Sequence, residues 1–191
     1  MTCSRGLSRR RRTTITPDEL NQRAARIRLL CLDVDGTLTD GRLVYDGEGR
    51  ETKAFHVLDG LGMQLLEEHG VSVALVTARR SAAVQARARD LGLQHVHTGV
   101  KDKAATLRLL CASLGVAASE VAHMGDDLPD LPALALAGLA AAPANAHPWV
   151  AERVHWQARA RGGEGAVREL CDLLLEARGL RAAVLARFGI E

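Results

Sequence analysis

Asp33 and Asp35 stand two residues apart in Leu32-Asp33-Val34-Asp35-Gly36-Thr37, directly after the apolar run Leu29-Leu30-Cys31-Leu32. Carboxylates paired in this way can hold a hard divalent cation through oxygen, and one of them can attack phosphorus. The apolar run reads as a short buried strand, and Gly36 lets the chain turn sharply beyond its carboxyl end, where ligands of open α/β sheets bind. A strand that simply closes in a polar Asp-Gly turn looks the same locally, so the pair takes its meaning from what joins it.

Three further groups stand where a strand pattern ends or a helix pattern begins. Thr77 closes Val71 to Thr77, Lys103 opens a helical pattern behind the N-cap residue Asp102, and Asp126 and Asp127 follow Val121 to Met124. Phosphoryl transfer asks for such parts, because its catalysis is positioning and charge stabilisation. Asp33 is the expected nucleophile, forming an aspartyl-phosphate; Asp35 is the expected general acid and then the base that activates water. The Thr77 hydroxyl is expected on a phosphoryl oxygen, and Lys103 beside the phosphate and Asp33. Asp33, Asp35 and Asp126 are expected to hold Mg2+, with Asp127 and Asp130 orienting its waters and the loop.

For these residues to meet, strands and helices must alternate, and they do. Between Val71 and Met124 the order is strand, helix (Ala82 to Leu91), strand (His95 to His97), helix (Lys103 to Leu114), strand. In the second helix Leu107, Leu110, Cys111 and Leu114 repeat at i, i+3, i+4, i+7. Gly138 to Ala142 reads as a last strand, and Gly165 to Ala177 as a helix with Val167, Leu170, Cys171 and Leu174 inward. The fold class is therefore α/β, a doubly wound, mainly parallel, Rossmann-like sheet covered on both faces. Leu43-Val44-Tyr45 and Thr52-Lys53-Ala54-Phe55 flank Asp46-Gly47-Glu48-Gly49 as a small β-hairpin insertion over about residues 41–55, and a helix follows from about Gly60 with Leu61, Leu65 and Leu66 inward.

The 191 residues, 47% of them hydrophobic, suit one domain with a sizeable core. Thr16-Pro17-Asp18-Glu19 carries a helix start with a capping box, so the ordered domain is expected over 16–178, with a C-terminal tail or docking arm over 179–191. Residues 1–28 hold eight Arg against Asp18 and Glu19, so a net charge of +2 hides a basic head on a mildly acidic body. Residues 1–15, with the run Arg9 to Arg12, are expected to be disordered; no aromatic residue is interleaved to stack on bases, so no nucleic-acid partner is expected. No stretch is long and apolar enough to span a membrane. Cys3, Cys31, Cys111 and Cys171 are scattered without paired spacing, which fits reduced thiols in a cytoplasmic protein. His95 and His97 share a strand face without a third ligand, and His147 lies beside Pro148 as a weaker substrate-side candidate.

LDVDGT, VTAR, the Lys103 helix and GDDLPD match, in order, the four motifs of the haloacid dehalogenase superfamily over about residues 29–143. This resemblance implies a haloacid dehalogenase-type hydrolase in which the residues named above play the roles assigned. The slots where such enzymes insert a cap domain hold only the hairpin and one helix, so no cap domain is expected. From about Ile27 to Ala177 the chain resembles the 3-deoxy-D-manno-octulosonate 8-phosphate phosphatases, through DVDGTLTDG, KAFHVLDG, GDDLPD, ANAHP and GGEGAVRELCDLLL. That resemblance implies a magnesium-dependent phosphomonoesterase of lipopolysaccharide-sugar synthesis, a homotetramer whose hairpins lid neighbouring sites. It further implies substrate contacts from Gly36, His56, Val57, Asp59, Gly60, Arg79, Arg87 and Lys103.

Arg79 and Arg87, eight apart on one expected helix, suit a sugar-acid carboxylate, though a solvated Arg pair has the same spacing. Leu58, Gln64 and Glu164 stand where that family usually carries cations. These departures keep two alternatives open, a nonulosonate 9-phosphate phosphatase and a broad sugar phosphatase. A receiver-like phospho-acceptor module is the remote alternative; its acceptor usually follows a later strand, whereas Asp33 follows the first.

Overall fold

All four residues of Leu29-Leu30-Cys31-Leu32 are fully buried in the computed structural model, which describes residues 15–190. In chain order, α1 (Pro17–Ala25) and β1 (Leu29–Leu32) precede the hairpin strands β2 (Val44–Tyr45) and β3 (Glu51–Thr52), then α2 (Val57–Glu68) and β4 (Ser72–Val76). Next come α3 (Ala82–Leu91), β5 (His95–His97), α4 (Lys103–Leu114), β6 (Val121–Met124), α5 (Leu131–Leu134) and β7 (Leu139–Ala142). The short α6 (Pro148–Ala151), β8 (Trp156–Gln157), α7 (Ala166–Ala177) and α8 (Arg181–Arg187) complete the described residues.

Six strands form one sheet in the order β5-β4-β1-β6-β7-β8, with every neighbouring pair parallel. From β1 the chain builds outward through β4 and β5, then crosses back to add β6, β7 and β8 on the other side. The switch point therefore lies at the carboxyl end of β1, where open sheets leave a crevice. Strand alternation divides the core: Leu30 and Leu32 pack with Leu65, Leu66 and Leu170, while Leu29 and Cys31 pack on the opposite face with Leu107, Leu110 and Ala133. Between β1 and α2 the described chain inserts only the antiparallel β2–β3 hairpin, so the domain carries no cap.

Four departures from the sequence reading have physical causes. Helix α2 begins at Val57, because His56 is extended and serves as N-cap; Val57 and Leu58 are exposed, which breaks the apolar period that marks a helix. Strand β8 adds an edge beyond the expected last strand, through Ala141 opposite Trp156, and its two residues are too few to show alternation. At the other terminus, Gly179 (φ +71°) ends α7, and α8 follows where a tail was expected. Its Val184 packs on the core and Arg187 pairs with Glu68 at 2.8 Å. In α1, Thr16 caps the Glu19 amide at 3.1 Å, but the Glu19 carboxylate pairs with Arg23 at 2.9 Å rather than closing the expected box. The expectation of disorder over 1–15 falls, but for residue 15, outside the described residues. Cys31, Cys111 and Cys171 are free thiols, Cys31 with its pKa pushed up to about 12 by burial. No helix among the described residues is long and apolar enough to cross a membrane.

Candidate active site

Beyond β1 the chain folds back on one carbonyl: the amides of Thr37, Leu38 and Thr39 converge on Val34 O at 2.9–3.3 Å. Gly36 makes the turn at φ +92°, and a Cβ there would lie 2.1 Å from Asp126 Oδ2, so only glycine lets the two loops meet. The Gly-rich loop after β8 braces the turn from the other side. Gly163 donates to Thr37 O at 3.1 Å and Gly162 to Asn145 Oδ1 at 2.7 Å. A Cβ at Gly162 would stand 1.8 Å from Gly36 O.

Within this frame Asp33 and Lys103 are buried, and Lys103 Nζ lies 2.6 Å from both Asp33 Oδ1 and Asp130 Oδ1. Oxygens of Asp33, Asp126 and Asp130 all fall within 4.8 Å of one another. One lysine faces three carboxylates, and the imbalance shows in their protonation. Burial, then Asp33, Asp130 and Asp127, pushes Asp126 up to about 8; burial, then Asp130, pushes Asp33 up to about 6, with Lys103 opposing in both. Burial also works against charge on Asp130, but His123 and Lys103 outweigh it and hold that carboxyl below its ordinary range. Lys103 is pulled down by burial and more than restored by Asp33 and Asp130. A cluster of hard oxygen donors with uncompensated negative charge fits a magnesium ion.

The acidic side chains fall into two groups. Asp130, expected to support the loop, contributes to the carboxylate cluster, while the Asp35 carboxylate turns from it toward Lys53, which donates to Asp35 Oδ1. The cause is a cation delivered by the hairpin, whose side chain is only 1% exposed. Asp127 caps the turn at Leu128–Asp130, accepting from the Leu128 amide at 2.8 Å. Thr77 is buried at the end of β4, with Oγ1 accepting from the Arg79 amide at 3.3 Å.

The expected substrate contacts separate. Arg79 precedes α3 instead of sharing it with Arg87, and its guanidinium pairs with Glu51 at 2.6 Å and meets the Tyr45 hydroxyl at 3.0 Å. Burial opposes charge on Glu51, but hydrogen bonds from Arg79 and Lys53 prevail and bring its pKa to about 2. Arg87 lies against Gly60 and over the Phe55 ring, with Nη2 3.5 Å from His56 O. Asp59 is buried and accepts from the Arg168 amide at 2.8 Å, capping α7. His147 caps α6 and donates its amide to Asp126 O at 2.8 Å, which fixes the acidic loop. His95 and His97 lie on edge strand β5 and join no metal-ligand cluster among the described residues. Leu58 is half exposed, and Glu164 lies 3.9 Å from Arg161 of its own loop.

Sequence reasoning missed Lys53, Glu51, His123 and Asn145 as members or supports of the site. Lys53 lies two residues beyond Glu51, where an extended chain turns both side chains to one face, and that spacing was the available signal. His123 on β6, with Nε2 3.4 Å from Asp130 Oδ1, carried none, because only the folded loop brings Asp130 back over it.

The sheet order and the acidic crevice at its switch point place the chain among the haloacid dehalogenase-like hydrolases, whose family model matches residues 56–138. The 3-deoxy-D-manno-octulosonate 8-phosphate phosphatase of Yersinia pestis is 44% identical over 84% of this chain and 86% of its own. The corresponding phosphatase of Moraxella catarrhalis, solved with a magnesium ion, a phosphate ion and a KDO molecule, superposes with TM-score 0.88 at 42% identity, over 91% of this chain and 99% of that one. A hypothetical protein from Xanthomonas campestris superposes equally, TM-score 0.88, at 57% identity over 93% and 97% of the two chains. The chain belongs to the 3-deoxy-D-manno-octulosonate 8-phosphate phosphatase family of these hydrolases.

Proposed function

We infer that the protein is a magnesium-dependent phosphomonoesterase that hydrolyses 3-deoxy-D-manno-octulosonate 8-phosphate to the free sugar acid and phosphate, a step of lipopolysaccharide-sugar synthesis. The observation that carries this is Asp33 at the switch point, 2.6 Å from a buried lysine and within reach of Asp126, in a chain 44% identical to a phosphatase of that name. Magnesium, when held by Asp33 and Asp126 with Asp130 beside them, supplies the positive charge that lets a carboxylate approach a phosphate dianion. Asp33 Oδ attacks phosphorus and takes the phosphoryl group. Lys103 favours the ionised carboxylate and balances charge as the bond to the leaving oxygen breaks. Asp35 hands that oxygen a proton and takes one back from the water that frees Asp33. Thr77, ending the strand beside β1, is our donor to a phosphoryl oxygen.

The half-exposed Leu58 and the Glu164–Arg161 pair favour a second reading, a related nonulosonate 9-phosphate or a wider range of sugar phosphates. Steady-state rates over a panel of phosphates separate the two: a preference of at least ~10²-fold for the octulosonate 8-phosphate is expected, a lower bound for a site whose polar groups are matched to one substrate. Equal rates across the panel overturn the specific reading and keep the general one. We further propose a cytoplasmic homotetramer in which the exposed apolar hairpin residues Leu43, Val44 and Tyr45 meet neighbouring copies and lid their sites. Sedimentation at a mass of one chain refutes that assembly.

A further inference from the structure

We propose that Lys53 is the positioning residue for Asp35, so that the hairpin sets where the proton-transfer carboxylate stands. The inference rests on the reading of Asp35 as general acid and base given above. Asp33 directly follows β1, and its amide is tied to Met124 O at 3.0 Å, so the sheet itself holds the nucleophile. Asp35 projects from the turn beyond, and its carboxylate is held through Oδ1 by Lys53 Nζ. Oδ2 of the same carboxylate is buried and has no hydrogen-bond partner. One oxygen is thus anchored and the other is left to exchange a proton with a leaving oxygen or water.

Lys53 is itself fixed from behind. Its Nζ lies 2.9 Å from Glu51 Oε1; Glu51 Oε2 accepts from Arg79 Nη2 at 2.6 Å, and Arg79 reaches the Tyr45 hydroxyl at 3.0 Å. The chain of contacts runs from the exposed strand β2 to the Asp35 carboxylate. A buried ammonium is tolerated only when paired, so the flexible four-carbon stem has one favourable place to put its charge. Replacing it with a neutral side chain of similar length removes no contact of Asp33, Lys103, Asp126 or Asp130, while Asp35 loses the contact that orients it.

Such a role predicts a loss that depends on the leaving group. An alkoxide must be protonated as it departs, whereas p-nitrophenolate departs as a stable anion, and kcat/KM reports the steps up to that departure. With saturating Mg2+, Lys53→Met is expected to lower kcat/KM for 3-deoxy-D-manno-octulosonate 8-phosphate by ~10²-fold, the lower end of what general acid–base catalysis contributes. For p-nitrophenyl phosphate the same variant is expected to change kcat/KM by less than ~3-fold, since no interaction made in that transition state is removed. Lys53→Arg, which keeps the charge, is expected to recover part of the loss. Equal losses on both substrates, or no loss on either, overturn the proposal. If Lys53→Met fails to fold, Glu51→Gln, which releases the ammonium from behind, must show the same selective loss on a smaller scale. A wild-type chain inactive toward both substrates overturns the phosphatase reading itself; a wild-type chain active on both, with Lys53 variants like it, overturns only the role of Lys53.

Discussion

Asp33 and Lys53 are both charged and buried, yet they are held by different kinds of structure. Asp33 extends β1, paired on both sides by parallel strands, and its turn is braced by the Asp126 loop and by Gly162 and Gly163. Lys53 follows a two-residue strand whose partner residues Val44 and Tyr45 are half exposed, and what holds it is a chain of ion pairs. An isolated two-stranded hairpin is marginal in water, whereas backbone at the centre of a buried sheet opens only with the whole domain. The comparison teaches that the groups proposed for phosphoryl transfer sit on the rigid part of the molecule, whereas Asp35, proposed to move protons, is contacted from the compliant part.

Four experiments can break or sharpen that contrast. Asp33→Asn keeps the shape of the sheet end and removes the nucleophile, so turnover should fall by ~10⁴-fold or more while the chain still folds. Residual activity near wild type in that variant defeats the mechanism. Gly162→Ala drives a methyl group onto Gly36 O, where 1.8 Å is available, and must shift the Asp33 to Thr37 turn. A displacement of about 1 Å at reacting atoms costs roughly 10²-fold in rate, and kcat should fall on that scale together with the melting temperature. Unaltered kinetics means that the Gly-rich loop does not brace the site.

The third experiment uses the crowded carboxylates. Asp126 and Asp33 are pushed up to about 8 and about 6 when folded, chiefly by burial, against an unfolded value near ~4. Between those limits the folded state binds protons that the unfolded chain has released, so metal-free stability must fall as pH rises from about 4 to about 8. Magnesium replaces the missing positive charge, and the increase in melting temperature on adding it should be larger at pH 8 than at pH 6. An increase independent of pH means that the metal binds elsewhere. The smallest effect belongs to the rim of the hairpin. Tyr45→Phe removes one partly exposed hydrogen bond to Arg79, worth about 1 kcal/mol, and kcat should stay within ~3-fold of wild type. A large loss there shows that the ion-pair chain is rigid to its outer end.

Most of the sheet was legible because buried parallel strands write themselves as short apolar runs ending in Asp, Thr or Gly. β1, α3, β5, α4 and β6 appear with the boundaries expected from those runs and from the i, i+3, i+4, i+7 spacing. The elements that escaped are those without a period: β8 with two residues, and the first turn of α2, where Val57 and Leu58 face outward. Arg79 and Arg87 are eight apart, but α3 starts only at Ala82 behind its extended N-cap Ser81, so Arg79 lies before the helix that carries Arg87. The burial of Asp59 beneath α7 is likewise a long-range contact that no local pattern records.

By itself the sequence brought forward the groups proposed to react, since Asp33, Thr77, Lys103 and Asp126 follow or open elements whose pattern is local and Asp35 lies in the turn beyond β1. Only the tertiary structure decided which carboxylates share a site and which stand apart. Asp130 joins Asp33 and Asp126, and Asp35 turns to Lys53, because charge compensation acts across space between loops distant in the chain. No periodicity along a single segment records that.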